Sequence, residues 1–179
     1  MLKNPVLETS EVWKGFVDEN GAHHWIFKGL NLKFFEGKFI SVLGKPGEGK
    51  STLLKILGFQ EVPDKGEIYF QGRLVGIRNN EELEHMRKER VWLIDLSALV
   101  KPLISPPKTL AVVLLDDPDA LYNLPLNPVA GYRFLTTIYD LNDKGITVIM
   151  TTHSPKVASY ANSIHKLSNG QLKEFTDYN

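Results

Sequence analysis

Apolar residues follow two rhythms along this chain. Between residues 6 and 43 short apolar runs alternate with polar positions, and Asn20-Gly21 breaks them with a strong hairpin signal. Phe39-Ile40-Ser41-Val42-Leu43, Val91-Trp92-Leu93-Ile94, Leu110 to Leu115 and Thr147-Val148-Ile149-Met150 do not alternate. Strands without alternation are buried on both faces, which predicts a mostly parallel α/β core. The alternating runs predict an added antiparallel sheet, joined by a β excursion over Gly66 to Val75 that bends at Gly72. Helical spacing follows in Thr52-Leu53-Leu54-Lys55-Ile56-Leu57. Asn80 caps a second helix, with Glu81, Glu82 and Glu84 in its first turn and Arg87 and Lys88 at its end, the order a helix dipole favours. Asn127-Pro128 starts a third, with Val129, Tyr132, Leu135, Ile138 and Leu141 as its apolar stripe. Ser154-Pro155 starts a short fourth helix, and Asn169-Gly170 closes a last hairpin. The stretch 95–109 reads as irregular, with Pro102, Pro106 and Pro107.

The junction between the first unalternated run and the first helix carries the chemistry. Gly44-Lys45-Pro46-Gly47-Glu48-Gly49-Lys50-Ser51 fits G-x-x-x-x-G-K-[ST], in the strand–loop–helix context that motif requires. Such a loop aims successive backbone N–H groups at phosphate, and the following helix adds its positive dipole end. The residues from Gly44 to Thr52 are therefore the predicted nucleotide cradle. Lys50 would reach the β- and γ-phosphates, and the Ser51 hydroxyl would hold Mg²⁺.

Two carboxylates end the strand that runs through Val112-Val113-Leu114-Leu115. Asp116 stands where such a strand meets Mg²⁺, through water, and Asp117 stands where a general base would face the attacking water. His153 closes the next core strand at Thr151-Thr152-His153, placed to hydrogen-bond a γ-phosphate.

Composition narrows the class. The chain has 179 residues, 42% hydrophobic and 23% charged, with a formal net charge of zero, so it carries no nucleic-acid footprint. It has no cysteine, which excludes disulfides and thiolate metal sites and fits a reducing compartment. The longest apolar run is too short to span a bilayer, and Met1-Leu2-Lys3-Asn4-Pro5 lacks a secretory apolar region. The expectation is a cytoplasmic protein, reaching the inner face of a membrane only through a partner.

Taken together, the motifs resemble the nucleotide-binding domain of an ABC ATPase. The resemblance covers residues 6 to about 100 and 107–175. It rests further on Leu53-Leu54-Lys55-Ile56-Leu57-Gly58 followed by Pro63-Asp64-Lys65-Gly66-Glu67-Ile68. Thr147 through Ser154 followed by Asn169-Gly170 is equally characteristic. The resemblance implies a P-loop core over 39–58 and 91–175, and an antiparallel region over 6–43 and 66–78. It implies ATP and Mg²⁺ as cofactors, ATP hydrolysis as the activity, and Phe16 as the aromatic that stacks on adenine, with Trp13 as second choice.

The chain also departs from that family. Asp95-Leu96 stands where the family has a glutamine, and Asn123 stands about where it has an aspartate after the carboxylate pair. Asp117 replaces the usual glutamate. Residues 96–109 form a short bypass where the family has a helical subdomain ending in Leu-Ser-Gly-Gly-Gln. That signature closes over the γ-phosphate of a paired domain, so its loss removes donors that stabilise transition-state charge. Two readings follow: an ABC-type subunit hydrolysing ATP weakly or with a partner, serving a transporter or related membrane complex, or a nucleotide-binding scaffold without useful turnover. The implied partners are a second copy, a signature-bearing ABC subunit and a membrane protein. A small-molecule kinase would need an arginine-bearing lid, and the stretch 95–109 has no arginine.

Overall fold

Two sheets organise the chain. The computed structural model describes residues 5–76, 80–94, 106–119 and 128–175. The first sheet is antiparallel, in the order β2-β1-β4-β5, from β1 (Pro5–Val17), β2 (His23–Phe35), β4 (Lys65–Phe70) and β5 (Arg73–Leu74). The second is six-stranded, in the order β10-β9-β3-β8-β7-β6. It comprises β3 (Phe39–Leu43), β6 (Val91–Ile94), β7 (Val112–Leu115), β8 (Thr147–Thr152), β9 (Ser163–Ser168) and β10 (Gln171–Phe175). All its pairings are parallel except β9 with β10. The helices are α1 (Lys50–Leu57), α2 (Asn80–Glu89), α3 (Pro128–Asp143) and α4 (Pro155–Ala158). The α/β architecture expected from the sequence, a mostly parallel core with an antiparallel N-terminal sheet, is the one observed. Leu96 and Asn123, and most of the 96–109 bypass, lie outside the described residues.

Local chemistry accounts for the turns. In the first hairpin the Asp18 carboxylate accepts from the Asn20 and Ala22 amides, each at 2.9 Å, while Gly21 takes φ 81°. In the last, Asn169 and Gly170 take φ 51° and 71°, the two positive values a tight hairpin turn requires. Ser154 caps α4 through the Val157 amide, as its cap-plus-proline pattern predicts.

The unalternated strands sort their side chains by parity. Ile40, Val42, Val112, Leu114 and Ile149 pack with α1 and the antiparallel sheet. Phe39, Val113, Leu115, Val148 and Met150 pack on the opposite face with α3. Each strand is apolar throughout because both faces are covered.

One expectation needs correcting. Tyr132, which the helical period places in the apolar stripe of α3, is 72% exposed, and Phe134 takes the buried place with Ile138 and Leu141. Stripes through 132 and through 134 both match a 3.6-residue period, and the sequence alone does not choose between them.

His165 of β9 gives this fold a pH dependence. Its ring lies edge-on to Phe34 at 5.5 Å, and its Nδ1 has no hydrogen-bond partner among the described residues. Burial pushes its pKa below the usual histidine value, against a weaker upward pull from Glu174. The unfolded chain takes up this proton near pH 6.5 and the folded chain only at lower pH, so stability falls as pH drops through that window. The melting temperature of the wild type relative to His165→Phe should therefore fall between about pH 7.5 and about pH 5.5. A constant difference across that range would rule this out.

Candidate functional site

The loop between β3 and α1 is built by glycines with no alternative. Gly47 and Gly49 take φ 84° and 90°. A Cβ on Gly49 would lie 2.3 Å from the Ile26 side chain and 3.2 Å from Phe27. Gly49 also heads α1, which has no side-chain cap and no acidic residue in its first turn. The helix therefore points uncapped backbone N–H groups into the loop, a ready place for an anion.

Lys50 is only 7% exposed. Its Nζ donates to the Gly44 carbonyl at 2.9 Å and the Lys45 carbonyl at 3.1 Å. The ammonium is thus held inside the loop by its own backbone. Glu48 closes the loop from the other side, its Oε2 accepting from the Lys45 amide at 2.9 Å. Lys45, Pro46 and Gly47 form the exposed apex, Ser51 is exposed in the first turn of α1, and Thr52 is half-buried beside it.

The parallel register brings the carboxylates to the same end of the sheet. Leu43 pairs with Thr152, and the Gly44 amide donates to the Thr152 carbonyl at 3.1 Å. One strand further, β7 ends in Asp116 and Asp117. The Thr151 hydroxyl donates to Asp116 Oδ1 at 2.8 Å and accepts from the Asp117 amide at 3.0 Å, fixing the Asp116 carboxylate and the Asp117 backbone from β8. Asp117 takes φ 41°, a left-handed conformation uncommon for a residue with a Cβ and frequent at functional sites.

His153 sits between two carboxylates. Its Nδ1 lies 2.8 Å from Asp119 Oδ2 and 3.3 Å from Asp117 Oδ2. Burial, and next the neighbouring Asp119 charge, push the Asp117 carboxyl above its usual range, while His153 pulls it down. Ligand-capable atoms of these three residues fall within 4.8 Å of one another. They are joined by hydrogen bonds at the imidazole, so a bound cation is not required to hold them together.

Phe16 lies on the loop's other flank. It is 53% exposed, with one ring face stacked on His24 at 5.2 Å. With Trp25, Ile26, Gly47, Glu48 and Gly170 it lines an open cavity of about 370 Å³. The predicted base-stacking aromatic and two predicted cradle residues therefore share one cleft. Gly44, at the start of the loop, adjoins the end of β8 instead. Trp13, the second choice, packs edge-on against Trp25 under the Lys65 ammonium.

Sequence reasoning missed Asp119. It is 2% exposed and accepts from the Thr152 hydroxyl, and from the His153 amide at 3.1 Å. Its only sequence signal is a carboxylate two residues past Asp117, which a solvated turn would show equally.

Comparison with known proteins agrees with this geometry. The family described as ABC transporter matches residues 27–174. An uncharacterised ABC transporter ATP-binding protein of Methanocaldococcus jannaschii is 28% identical over 221 aligned positions, spanning 94% of this chain and 98% of that protein. The macrolide export ATP-binding/permease protein MacB of Wolinella succinogenes is 23% identical, and the chain spans 34% of its length. Among solved structures, the dimeric ATP-binding cassette MJ0796 bound to ADP and Pi superposes with a TM-score of 0.76 at 20% identity, covering 95% of this chain and 98% of that one. The cbiO1 protein of Clostridium perfringens, part of an ABC transporter complex, superposes with a TM-score of 0.68 at 18% identity, covering 95% and 87%. At those identities the structural likeness is one of fold. The family match takes in β3, the loop, α1 and the two strands that lead to the carboxylates and to His153, and so decides the kinship: the chain belongs to the ABC transporter family, as an ATP-binding domain.

Proposed function

We propose that this chain is the ATP-binding subunit of a transporter or related membrane complex, with Mg²⁺-dependent hydrolysis that is weak or depends on a partner. The observation that carries this reading is the arrangement around Gly44. The buried Lys50, the uncapped start of α1, and the Asp116, Asp117 and His153 cluster all belong to one end of one parallel sheet. Phe16 stacks on adenine in the cleft it shares with Gly47 and Glu48. Gly44 to Thr52 cradle the phosphates, and Lys50 exchanges its loop carbonyls for β- and γ-phosphate oxygens.

Mg²⁺ fits the donors present. Ser51 offers a hydroxyl and Asp116 a carboxylate, both hard oxygens of the kind this cation takes alongside substrate phosphates. When bound, the ion neutralises phosphate charge. Thr151 holds Asp116 in place for that role. Asp117 orients the attacking water and accepts its proton, and His153 hydrogen-bonds the γ-phosphate.

The partner dependence rests on what the sequence omits. No Leu-Ser-Gly-Gly-Gln occurs in the 179 residues. The alignment with the M. jannaschii protein runs over 221 positions although 94% of this shorter chain takes part, which supports a helical subdomain missing from within it. A signature-bearing subunit would complete the site; a second copy could pair with the chain but would bring no signature of its own. No helix among the described residues is long and apolar enough to cross a membrane, so the chain would meet a membrane through its partner. A second reading, a nucleotide-gated scaffold, is favoured by Asp117, whose carboxylate is one methylene shorter than glutamate. A reacting group displaced by about 1 Å can lose on the order of 10²-fold in rate.

ATP affinity and Mg²⁺-ATP turnover across a protein concentration series test this. Binding is expected at every concentration, with specific activity rising as copies pair or as a signature-bearing cassette is added. Binding without turnover under all conditions would select the scaffold. Failure to bind ATP would remove both readings.

A further inference from the structure

We propose that His24 is a positioning residue for base stacking: the Asp18 carboxylate holds its ring against one face of Phe16, and the other face is left for a nucleobase. The inference deepens the reading above and rests on it for the ligand, an adenine nucleotide. The arrangement of Asp18, His24 and Phe16 stands independently of that ligand.

The first observation is where Phe16 lies. Beyond Trp13, which pairs with Lys65, the only strand paired with β1 among the described residues is β2. Phe16 therefore belongs to a two-stranded hairpin, a unit that is marginal by itself. It is 53% exposed, so packing does little to fix its ring. A side chain that must be ordered when its ligand arrives weakens binding by the freedom it loses.

The second observation is what covers that ring. His24 stands directly opposite Phe16 in the register, and residues opposite each other share a face of an antiparallel pair. The two rings stack, with centroids 5.2 Å apart and planes inclined by 23°. That separation lies in the range aromatic pairs favour. One face of Phe16 is taken by His24, so the cleft that Phe16 shares with Gly47 and Glu48 is left to the other.

The third observation is what holds His24, which at 51% exposed would be a loose support by itself. Its Nε2 lies 2.7 Å from Asp18 Oδ2. The other oxygen, Oδ1, accepts from the Asn20 and Ala22 amides, and the Asp18 amide donates to the Ala22 carbonyl at 2.9 Å. The carboxylate is thus part of the turn itself. The His24 hydrogen bond first, and the Ala22 amide next, hold the Asp18 carboxyl below its usual range. An ionised carboxylate only accepts, so Nε2 carries a hydrogen whether the ring is neutral or cationic. Contacts run unbroken from the turn backbone through Asp18 and His24 to Phe16.

A cross-strand pair that only steadied the hairpin would shift the melting temperature and leave the ATP affinity of the folded chain alone. A brace for Phe16 shifts that affinity, and only while Phe16 is there. ATP titrations of the full chain in a double-mutant cycle separate the two. Phe16→Ala should bind ATP about tenfold more weakly, the size of a lost base–aromatic stack. His24→Ala should lose about threefold, the cost of ordering one side chain, and nothing further once Phe16→Ala is present. Asp18→Ser, whose hydroxyl still serves the turn amides but does not reach His24, should lose as much as His24→Ala. His24→Thr, suited to a strand, replaces the alanine variant if that hairpin fails to fold. Proton NMR of the nucleotide-free chain reads the stack directly: the His24 ring protons should shift in Phe16→Ala. Wild-type ATP affinity in His24→Ala or Asp18→Ser, a His24→Ala loss undiminished beside Phe16→Ala, or His24 protons indifferent to Phe16→Ala would each overturn the proposal. Wild-type affinity in Phe16→Ala would defeat base stacking and the brace with it. A wild type that binds no ATP would instead defeat the functional reading, while the NMR measurement still decides whether His24 backs Phe16.

Discussion

Lys50→Ala is expected to weaken ATP binding by about a hundredfold or more, with the fold retained. Each hydrogen bond between a charged group and an ionised partner contributes about 1.5–3 kcal/mol, and 1.4 kcal/mol is a factor of ten. The ammonium now spends its donors on the Gly44 and Lys45 carbonyls at 2.9 and 3.1 Å. Those carbonyls hold it at the mouth of the loop before any nucleotide arrives, so little rearrangement stands between the empty and the occupied cation. In the variant the buried Gly44 carbonyl loses its donor while the Lys45 carbonyl, in the exposed apex, can turn to water, so the melting temperature should fall without loss of the fold. Titration calorimetry with ATP makes the measurement, and wild-type affinity in Lys50→Ala would end the phosphate-loop assignment.

Gly66→Ala should destabilise the chain by about 3 kcal/mol or more, a large part of a typical domain's 5–15 kcal/mol. Gly66 takes φ 90° where β4 passes β1. A Cβ there would lie 2.2 Å from the Glu11 carbonyl oxygen and 2.6 Å from that of Ser10. These are backbone atoms of a bulge in β1, where Glu11 itself takes φ 50°. The bulge is tied down because the Glu11 amide donates to Asn31 Oδ1 at 2.9 Å, and Asn31 donates back to the Glu11 carboxylate at 2.6 Å. Neither strand can give way cheaply. Gly72 supplies the control, since it has φ 77° and nothing within 4 Å of its would-be Cβ. Gly72→Ala should cost only the left-handed penalty, about 1–2 kcal/mol. Urea denaturation of both variants compares them, and equal losses would show that the Glu11 contact carries no weight.

The sequence exposed what burial and turn chemistry impose locally. Strands covered on both faces cannot alternate, so β3, β7 and β8 announced themselves as apolar runs. Asn20-Gly21 and Asn169-Gly170 stand where the chain needs positive φ, and the loop of Gly47 and Gly49 could belong to few other residues. What stayed hidden depends on partners far along the chain. The Glu11 bulge exists because of Asn31 and Gly66 together. Asp119 looks like any acidic turn residue until β8, more than thirty positions later, supplies the donors that let it be buried. Tyr132 and Phe134 compete for one helical stripe, and only the shape of the facing sheet decides.

The placement of β3 also sets the order of events in biosynthesis. Its sheet neighbours are β8 and β9, whose residues lie more than a hundred positions downstream. Gly44 to Ser51 are translated early, but the strand that anchors this loop has no partner until Thr152 has been made, and gains its second neighbour only with Ser168. Pairings this distant are slow to close, because the intervening chain must be ordered first. ATP, however abundant in the cell, can therefore act as a folding ligand only after β8 has been made. Until then Phe39 to Leu43 is an exposed apolar segment of the kind chaperones shield.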